Sequence, residues 1–449
     1  MTNAIPPVFA LRCQVQQYDW GKLGVDSSVA QYAGYAHGAA VSADQPYAEL
    51  WMGTHPNAPA IAQAPGHAGV DGRPLGELVT AQPTRLLTDG VASAYHGDLP
   101  FLFKVLSIRK ALSIQAHPDK VLAAELHARR PDQYRDANHK PEMTIALTDF
   151  EAMCGFRPAS DIMLNVQAPE LVRLVGEDVI KRFCDAANAA EAAYNAEDDA
   201  NVKRTLSDLF GQLMRSDRDR VEEAVTKLCA RFARLPAANV RGSLEETIIR
   251  LNGQFPGDIG CLCPLLLNLV QLQPGDALFL SANEPHAYIS GDCIECMATS
   301  DNVVRAGLTP KFIDVDVLVN MLTYTTRSVE QVKVTPQPWT RALGGAEAIP
   351  LAHTAVYDPP IPEFAVARTL LNNASETFAG VQGPSVLIVT HGSGRLSYRT
   401  PDGAKSDEEL ILRAGQVYFI APDTVITLAG HAIQDEADAF QCYRAYCEV

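Results

Sequence analysis

The chain reads as a mainly β protein: two small barrel-like units, with a helical domain inserted into the first. Three observations carry this. Short runs rich in branched and aromatic residues, bounded by Gly, Pro, Asn and Asp, dominate the chain to about residue 158 and resume near Cys261. Between about Ala159 and Gln254 the apolar period changes to three and four residues, the mark of amphipathic helices. A turn-plus-strand form also recurs, since Gly275-Asp-Ala-Leu-Phe-Leu-Ser matches Gly415-Gln-Val-Tyr-Phe-Ile-Ala in pattern.

With 449 residues, 47% of them apolar, the chain has core enough for about three domains. The expected division is a discontinuous first domain over 1–158 and 259–325, a helical insertion over 159–258, and a C-terminal domain over 326–449. Against 37 Lys and Arg stand 53 Asp and Glu, a formal charge of −16. That balance argues against nucleic acid as a partner and admits an anionic ligand only where cations cluster locally. No run of ~18 apolar residues is present. The Met-Thr-Asn-Ala-Ile-Pro-Pro start has neither a basic region nor an apolar signal core. Ten irregularly placed cysteines then point to reduced thiols, so the expected location is the cytoplasm, with no membrane partner.

In chain order, Tyr18-Asp-Trp-Gly-Lys22 and Ala48 to Pro56 are short strand-like pieces among turns, with Trp20 and Trp51 as core or pocket-wall aromatics. Residues 58–97 are a loop with one helix around Leu75 to Thr84. The densest chemistry lies in Leu99 to Glu142, whose first half reads as two strands around Arg109-Lys110. In the second strand Ser113, Gln115 and His117 alternate, so they share one face, with Ala111, Leu112, Ile114 and Ala116 packing around them. Buried polar groups need partners, each unpaired one costing roughly 1–3 kcal/mol. A cation or polar ligand would supply them. Asn138-His-Lys-Pro-Glu then offers a carboxylate, Glu142, with Pro141 fixing the backbone before it. An amide oxygen, an imidazole and a carboxylate make a three-ligand set with open positions, as a catalytic metal requires. The plain alternative is a Gln and a His satisfied within the core.

The helical block follows. Ser160-Asp161 reads as a capping pair, and Ile162, Val166, Leu171, Leu174, Val175, Val179 and Phe183 keep helical spacing. Leu206 to Leu213, Val221 to Phe232 and Leu244 to Leu251 continue it, while Ala187 to Ala200 is a solvated helix face or a mobile connection. No chemistry is assigned to the block.

From Cys261 strands return. Gln273 to Asp276 is a turn, Ala277 to Leu280 a strand, and Asn283-Glu-Pro-His-Ala-Tyr288 brings a second candidate ligand, His286, at the exit of a short strand. Glu295 follows, then Arg305 and Lys311 across Ala306 to Pro310, the cationic cluster that an anionic substrate needs. Cys261-x-Cys263 and Cys293-x-x-Cys296 have the spacing of a thiolate zinc site, but strand alternation sends the last two thiols to opposite faces. After a Pro-rich stretch, Pro384 to Val389, Arg395 to Arg399, Glu409 to Leu412 and Gln416 to Ile420 read as strands of a small barrel. Eleven residues past Gly275 stands His286, and eleven past Gly415 stands Ile426, so the second unit keeps no ligand there. His391, followed by Gly392-Ser393-Gly394, reads as structural.

These residues carry a resemblance. Tyr18-Asp-Trp-Gly-Lys, Glu49-Leu-Trp-Met-Gly-Thr-His-Pro, Phe103-Lys-Val-Leu-Ser, Ile114-Gln-Ala-His-Pro-Asp-Lys, Asn138-His-Lys-Pro-Glu-Met, Cys154-Gly-Phe-Arg-Pro, Pro285-His-Ala-Tyr and Ser300-Asp-Asn-Val-Val-Arg-Ala-Gly-Leu-Thr-Pro-Lys resemble type I phosphomannose isomerases, in order from about residue 8 to 320. The resemblance implies a double cupin (jelly-roll) fold with a helical insertion and a C-terminal cupin-like domain without metal. It implies one Zn²⁺ per chain on Gln115, His117, Glu142 and His286, and interconversion of mannose 6-phosphate and fructose 6-phosphate by proton transfer through a cis-enediol. That reaction feeds GDP-mannose synthesis and mannose catabolism. Arg305 becomes an active-site residue, and Lys311, Arg305 and Ser113 hold the phosphate. Glu295 and Lys140 are candidates for the base, with Tyr288, Asp301 and Trp20 as further substrate contacts. The partner is a small phosphosugar and the chain is expected to be a monomer. Two competing classes are a metal-holding phosphosugar-binding protein and a metal-dependent dioxygenase. The candidate bases disfavour the first; the Gln ligand and the cationic cluster disfavour the second.

Overall fold

The computed structural model describes residues 5–38, 40–193, 199–236, 242–341, 349–399, 409–431 and 439–449. They form a mainly β structure with one helical insertion, as expected. An eight-stranded sheet lies between two others, and its strands are apolar on both faces because both are covered. Val386 and Ile388 of strand Ser385–His391, with Val417 and Phe419 of strand Val417–Ile420, pack on Phe103, Val105, Met143, Ile145, Ile294 and Cys296 of an eleven-stranded sheet. The alternate residues Leu387, Val389, Tyr418 and Ile420 pack on Phe378, Leu396, Ile426 and Leu428 of a four-stranded sheet. The inner face of the eleven-stranded sheet carries Leu106, Leu278, Tyr288 and Cys293 and lines the interior of the N-terminal unit. Among the described residues no ladder closes on itself, so the jelly-roll takes the form of facing sheets rather than a closed barrel. Strand Val8–Arg12 pairs with Val417–Ile420, so the first strand of the chain completes the C-terminal sheet.

The insertion comprises helices Ala159–Asn165, Pro169–Val175, Glu177–Ala192, Ala200–Met214, Arg218–Phe232 and Leu244–Gln254. Their apolar stripes meet in one core with Ile114, Ala116, Ala287 and Val304, residues of the strands that bear the candidate ligands. The side chains of Asp199, Asp217 and Ser243 cap three of these helices. Ser160-Asp161 does not cap the first. Pro158 takes the cap position, which places Ser160 inside the first turn, past the point where its hydroxyl could reach an orphan N–H. Of the Ala187 to Ala200 stretch, the part to Ala192 is helix, and residues 194–198 lie outside the described residues.

Three other local expectations change. Ser28–His37, within a region read as strand pieces, is a helix capped by Ser27 and ended by Gly38 at φ 63°. The single helix near residue 80 is three short ones, Leu75–Ala81, Pro83–Leu87 and Asp89–Ala94, because Pro83 cannot continue the first. His286 stands at the entrance of a thirteen-residue strand, His286–Ala298, rather than at the exit of a short one. On that strand Cys293 faces the interior and Cys296 the central sheet, so the two thiols do point apart. Among the described residues no helix is long and apolar enough to cross a membrane.

The insertion grips the first unit at one turn. Asp258 accepts hydrogen bonds from the backbone N–H of Gly260 at 2.7 Å and Leu308 at 2.6 Å through one oxygen, and from Thr309 at 3.2 Å through the other. The approach leaves no room for side chains, since a Cβ on Gly260 would stand 2.5 Å from the Leu308 nitrogen. Gly260→Ala is therefore expected to destabilise the fold by about 1–3 kcal/mol, the usual cost of overpacking. Urea unfolding measures it, and wild-type stability would show that the contact yields freely.

Candidate active site

Three neighbouring strands place the site. Gln115, on strand Ile114–Ala116, is the register partner of His286 on one side and of Arg305, on strand Val304–Gly307, on the other. Directly paired residues share a face, so the three project together. His117 follows Gln115 by two, and Glu142 opens strand Glu142–Ala146 across the interior. The His117 and His286 ring centroids lie 5.0 Å apart. Nε2 of His117 is 3.5 Å from one Glu142 oxygen and Nε2 of His286 is 3.4 Å from the other.

The tautomers follow from the backbone. Nδ1 of His117 donates to the Asn302 carbonyl at 2.6 Å, and Nδ1 of His286 to the Glu284 carbonyl at 3.1 Å. Each Nε2 therefore presents a lone pair toward an acceptor-only carboxylate. Both Nε2 atoms and one Glu142 oxygen are buried without a hydrogen-bond partner. A cation among them resolves all three at once. Among the described residues this is the one group of three His, Cys, Asp or Glu arranged to hold a metal, its donor atoms lying within 4.8 Å of one another. Donors 3.4–3.5 Å apart match the edge of a tetrahedron with bonds of about 2.0–2.1 Å, as Zn²⁺ prefers. Burial pushes His117 down to about 4, which keeps its imidazole neutral and able to ligate. Burial works against the Glu142 carboxylate, but the Lys140 ammonium beside it outweighs this and holds Glu142 below the usual range.

Beyond the cluster, Lys140 Nζ stands 2.8 Å from Glu142. Arg305 is half-buried, and its guanidinium has no protein hydrogen bond or ion pair among the described residues; burial lowers its pKa. Ser113 is half-buried beside this face. Lys311 is exposed beyond the Gly307 turn and makes no side-chain contact with the cluster among the described residues. Asp301 is exposed, 3.6 Å from His55. Trp20 is half-buried and stacks on Tyr18 at 5.8 Å. Tyr288 is buried in the interior wall, its pKa raised first by burial and then by Glu295.

Glu295 belongs to a row that sequence reasoning missed. Lys104 is the register partner of both Trp51 and Glu295, and Glu295 also pairs with Thr144. The Lys104 ammonium stands 3.1 Å from Glu295, 3.4 Å from Glu49 and 4.9 Å from the Trp51 ring centre. Trp51 Nε1 donates to Glu49 at 2.5 Å. Burial opposes the ammonium, but the two carboxylates outweigh it and hold Lys104 above the usual lysine value. Burial raises Glu295, with Lys104 opposing. The signal for Lys104 was a lone charge inside the apolar run Phe101–Ile108.

Asn283 is a second missed residue. It takes a left-handed backbone, φ 61°, which Asn tolerates better than most residues. Its N–H donates to the His117 carbonyl at 2.8 Å, while its amide clamps Asp119 at 2.8 and 3.1 Å. One residue thus ties the His117 segment to the His286 segment.

Fold and site define a metal-site enzyme built on facing β-sheets. Comparison with known proteins makes this specific. The models for the phosphomannose isomerase type I catalytic domain, helical insertion domain and C-terminal region match residues 8–159, 174–267 and 355–399. The mannose-6-phosphate isomerase of Ogataea parapolymorpha is 44% identical over 99% of this chain and 100% of its own, and that of Saccharomyces cerevisiae 43% over 98% and 99%. A zinc-bound crystal structure of mannose 6-phosphate isomerase superposes with a TM-score of 0.78 at 30% identity, over 99% of this chain and 100% of that one. The chain belongs to the type I phosphomannose isomerase family and is an isomerase of that family.

The clamp yields an expected outcome. Asn283→Ala should weaken metal binding roughly 10- to 100-fold, as the loss of a ligand-orienting partner commonly does. Competition with a chromogenic chelator measures this, and unchanged retention would exclude the role.

Proposed function

We propose that the chain interconverts mannose 6-phosphate and fructose 6-phosphate, with one zinc ion held by Gln115, His117, Glu142 and His286. The observation that carries the reading is three unpaired metal donors grouped around Gln115, the register partner of a half-buried Arg305 whose guanidinium has no protein partner among the described residues. When bound, the metal polarises a substrate or water oxygen as a Lewis acid.

The rest falls to side chains. A base removes the C2 proton of the opened aldose while the C1 oxygen gains one, forming the cis-enediol. The C2 hydroxyl then yields its proton as C1 receives one, which leaves the ketose. Glu295 is the better base, because burial raises its pKa toward neutrality and so toward the range where a carboxylate exchanges protons efficiently. Lys140, held against Glu142, is the alternative and orients the oxygens. Arg305 meets the phosphate and developing charge with bidentate donors, and Lys311 and Ser113 complete the phosphate contacts. Trp20, Tyr288 and Asp301 border the substrate. The domain division at 159, 259 and 326, a monomeric state, a cytoplasmic setting and service to GDP-mannose synthesis and mannose catabolism are parts of the same proposal.

Turnover of mannose 6-phosphate in deuterated water should place deuterium at C1 of the product. Complete absence of label under all conditions would favour a hydride shift. Glu295→Gln should lower turnover and exchange together; intact rates would move the base to Lys140. Arg305→Ala should cost roughly 10- to 100-fold in kcat/KM, about 1.5–3 kcal/mol for a charge-assisted contact. His286→Ala should lose the metal by elemental analysis, and full metal content would overturn the ligand set.

A further inference from the structure

We infer that Glu363, a residue of the C-terminal region, is a positioning residue of the active site: through His139 it sets the placement of Lys140. The inference rests on the proposed place of Lys140 at the reaction centre. Glu363 lies in the segment Asp358 to Phe364 that leads into strand Ala365–Leu371 of the central sheet. Its side chain is 2% exposed, and one oxygen stands 2.7 Å from His139 Nε2. The same oxygen lies 3.7 Å from Lys120 Nζ.

These contacts reach both ligand-bearing segments. His139 immediately precedes Lys140, whose ammonium is 2.8 Å from Glu142. Lys120 opens the helix Lys120–Arg129, capped by Asp119, two residues past His117. The delivering segment is stiff: Pro359, Pro360 and Pro362 restrict φ, Phe364 is buried, and Cys447 Sγ donates to the Pro362 carbonyl at 3.3 Å. A carboxylate held this way fixes the imidazole, and the imidazole fixes the next residue along. Unpaired, His139 could turn away and carry Lys140 with it. A shift of about 1 Å at a reacting group can cost on the order of 100-fold in rate.

A merely structural role predicts lower stability with normal turnover of the folded protein. The test therefore compares Glu363→Ala, Glu363→Gln, Lys140→Ala and the Glu363→Ala/Lys140→Ala double variant, each with bound zinc measured. Glu363→Ala should lower kcat roughly tenfold or more, with KM and zinc content within about twofold. Glu363→Gln, which still accepts from His139, should recover most of the loss. The double variant should be no slower than Lys140→Ala alone, because the two act through one group. Normal kcat in Glu363→Ala, or losses that add in the double variant, would overturn the proposal while leaving Lys140 in place. Full activity in Lys140→Ala would instead overturn the reading of Lys140 on which it stands. If Glu363→Ala does not fold, His139→Gln against His139→Ala serves the same comparison, since glutamine keeps a donor toward Glu363.

Discussion

Two buried imidazole lone pairs and a buried carboxylate face one another, and much of the surrounding structure holds them there. Left alone, each buried unpaired acceptor costs roughly 1–3 kcal/mol, so the arrangement opposes folding until a cation joins it. Its persistence depends on backbone carbonyls. Those of Asn302 and Glu284 fix the imidazole tautomers, and Asn302 in turn donates its side-chain amide to the carbonyls of Asp136 at 2.6 Å and Asn138 at 2.9 Å. The loop that leads to Glu142 and the loop that leads to Arg305 are thereby one hydrogen-bonded unit. Metal affinity and fold stability are coupled in such a site, because binding free energy accrues to the folded state alone.

Charge follows the same logic. Glu49, Glu142 and Glu295 are opposed in the interior by Lys104 and Lys140, which sums to −1 when all five are ionised. A divalent cation carries that to +1, and Arg305, without an ion-pair partner among the described residues, adds another positive charge at the rim. A dianionic phosphate ester then meets a locally positive site in a chain whose formal charge is −16. The cationic character is local and conditional on the metal. Lys104, buried between Glu49 and Glu295, is held in its charged form by those two carboxylates.

What could be read from the residues, and what could not, divides along physical lines. The shared face of Gln115 and His117 was legible because strand alternation is local, and Glu142 was legible as a carboxylate set by Pro141 in Asn138-His-Lys-Pro-Glu. Lys104 stood in plain view in an apolar run, yet its partners Glu49 and Glu295 arrive from strands remote in the chain. Asn283 and Asn302 act by tying together loops remote in the chain, through their amides and backbone, and those partners are set by the fold and not by neighbourhood in sequence. The pairing of Val8–Arg12 with Val417–Ile420 was equally hidden, because strand order is decided by which apolar faces meet, not by neighbourhood in sequence. The helical block was plain, since its period persists over many turns; its first cap was misjudged by a shift of two residues.

In the second β unit Ile426 stands eleven residues past Gly415, as His286 does past Gly275. Ile426 is 1% exposed and packs with Phe378, Leu396 and Leu428, so that position is core. An imidazole there would face its register partners Phe378 and Tyr398 in that apolar core, and burying it would cost free energy. His391 stands exposed at the end of its strand, away from that core. The unit's worth lies in its other surfaces. Its central sheet is the floor on which Phe103, Met143 and Ile294 rest, and these alternate along their strands with Lys104, Glu142 and Glu295. Because side chains on a strand alternate strictly, a firm outer face holds the inner one in register. Apolar packing on one side of three strands thus fixes the charged groups on the other, and the central sheet sets the geometry of the candidate site.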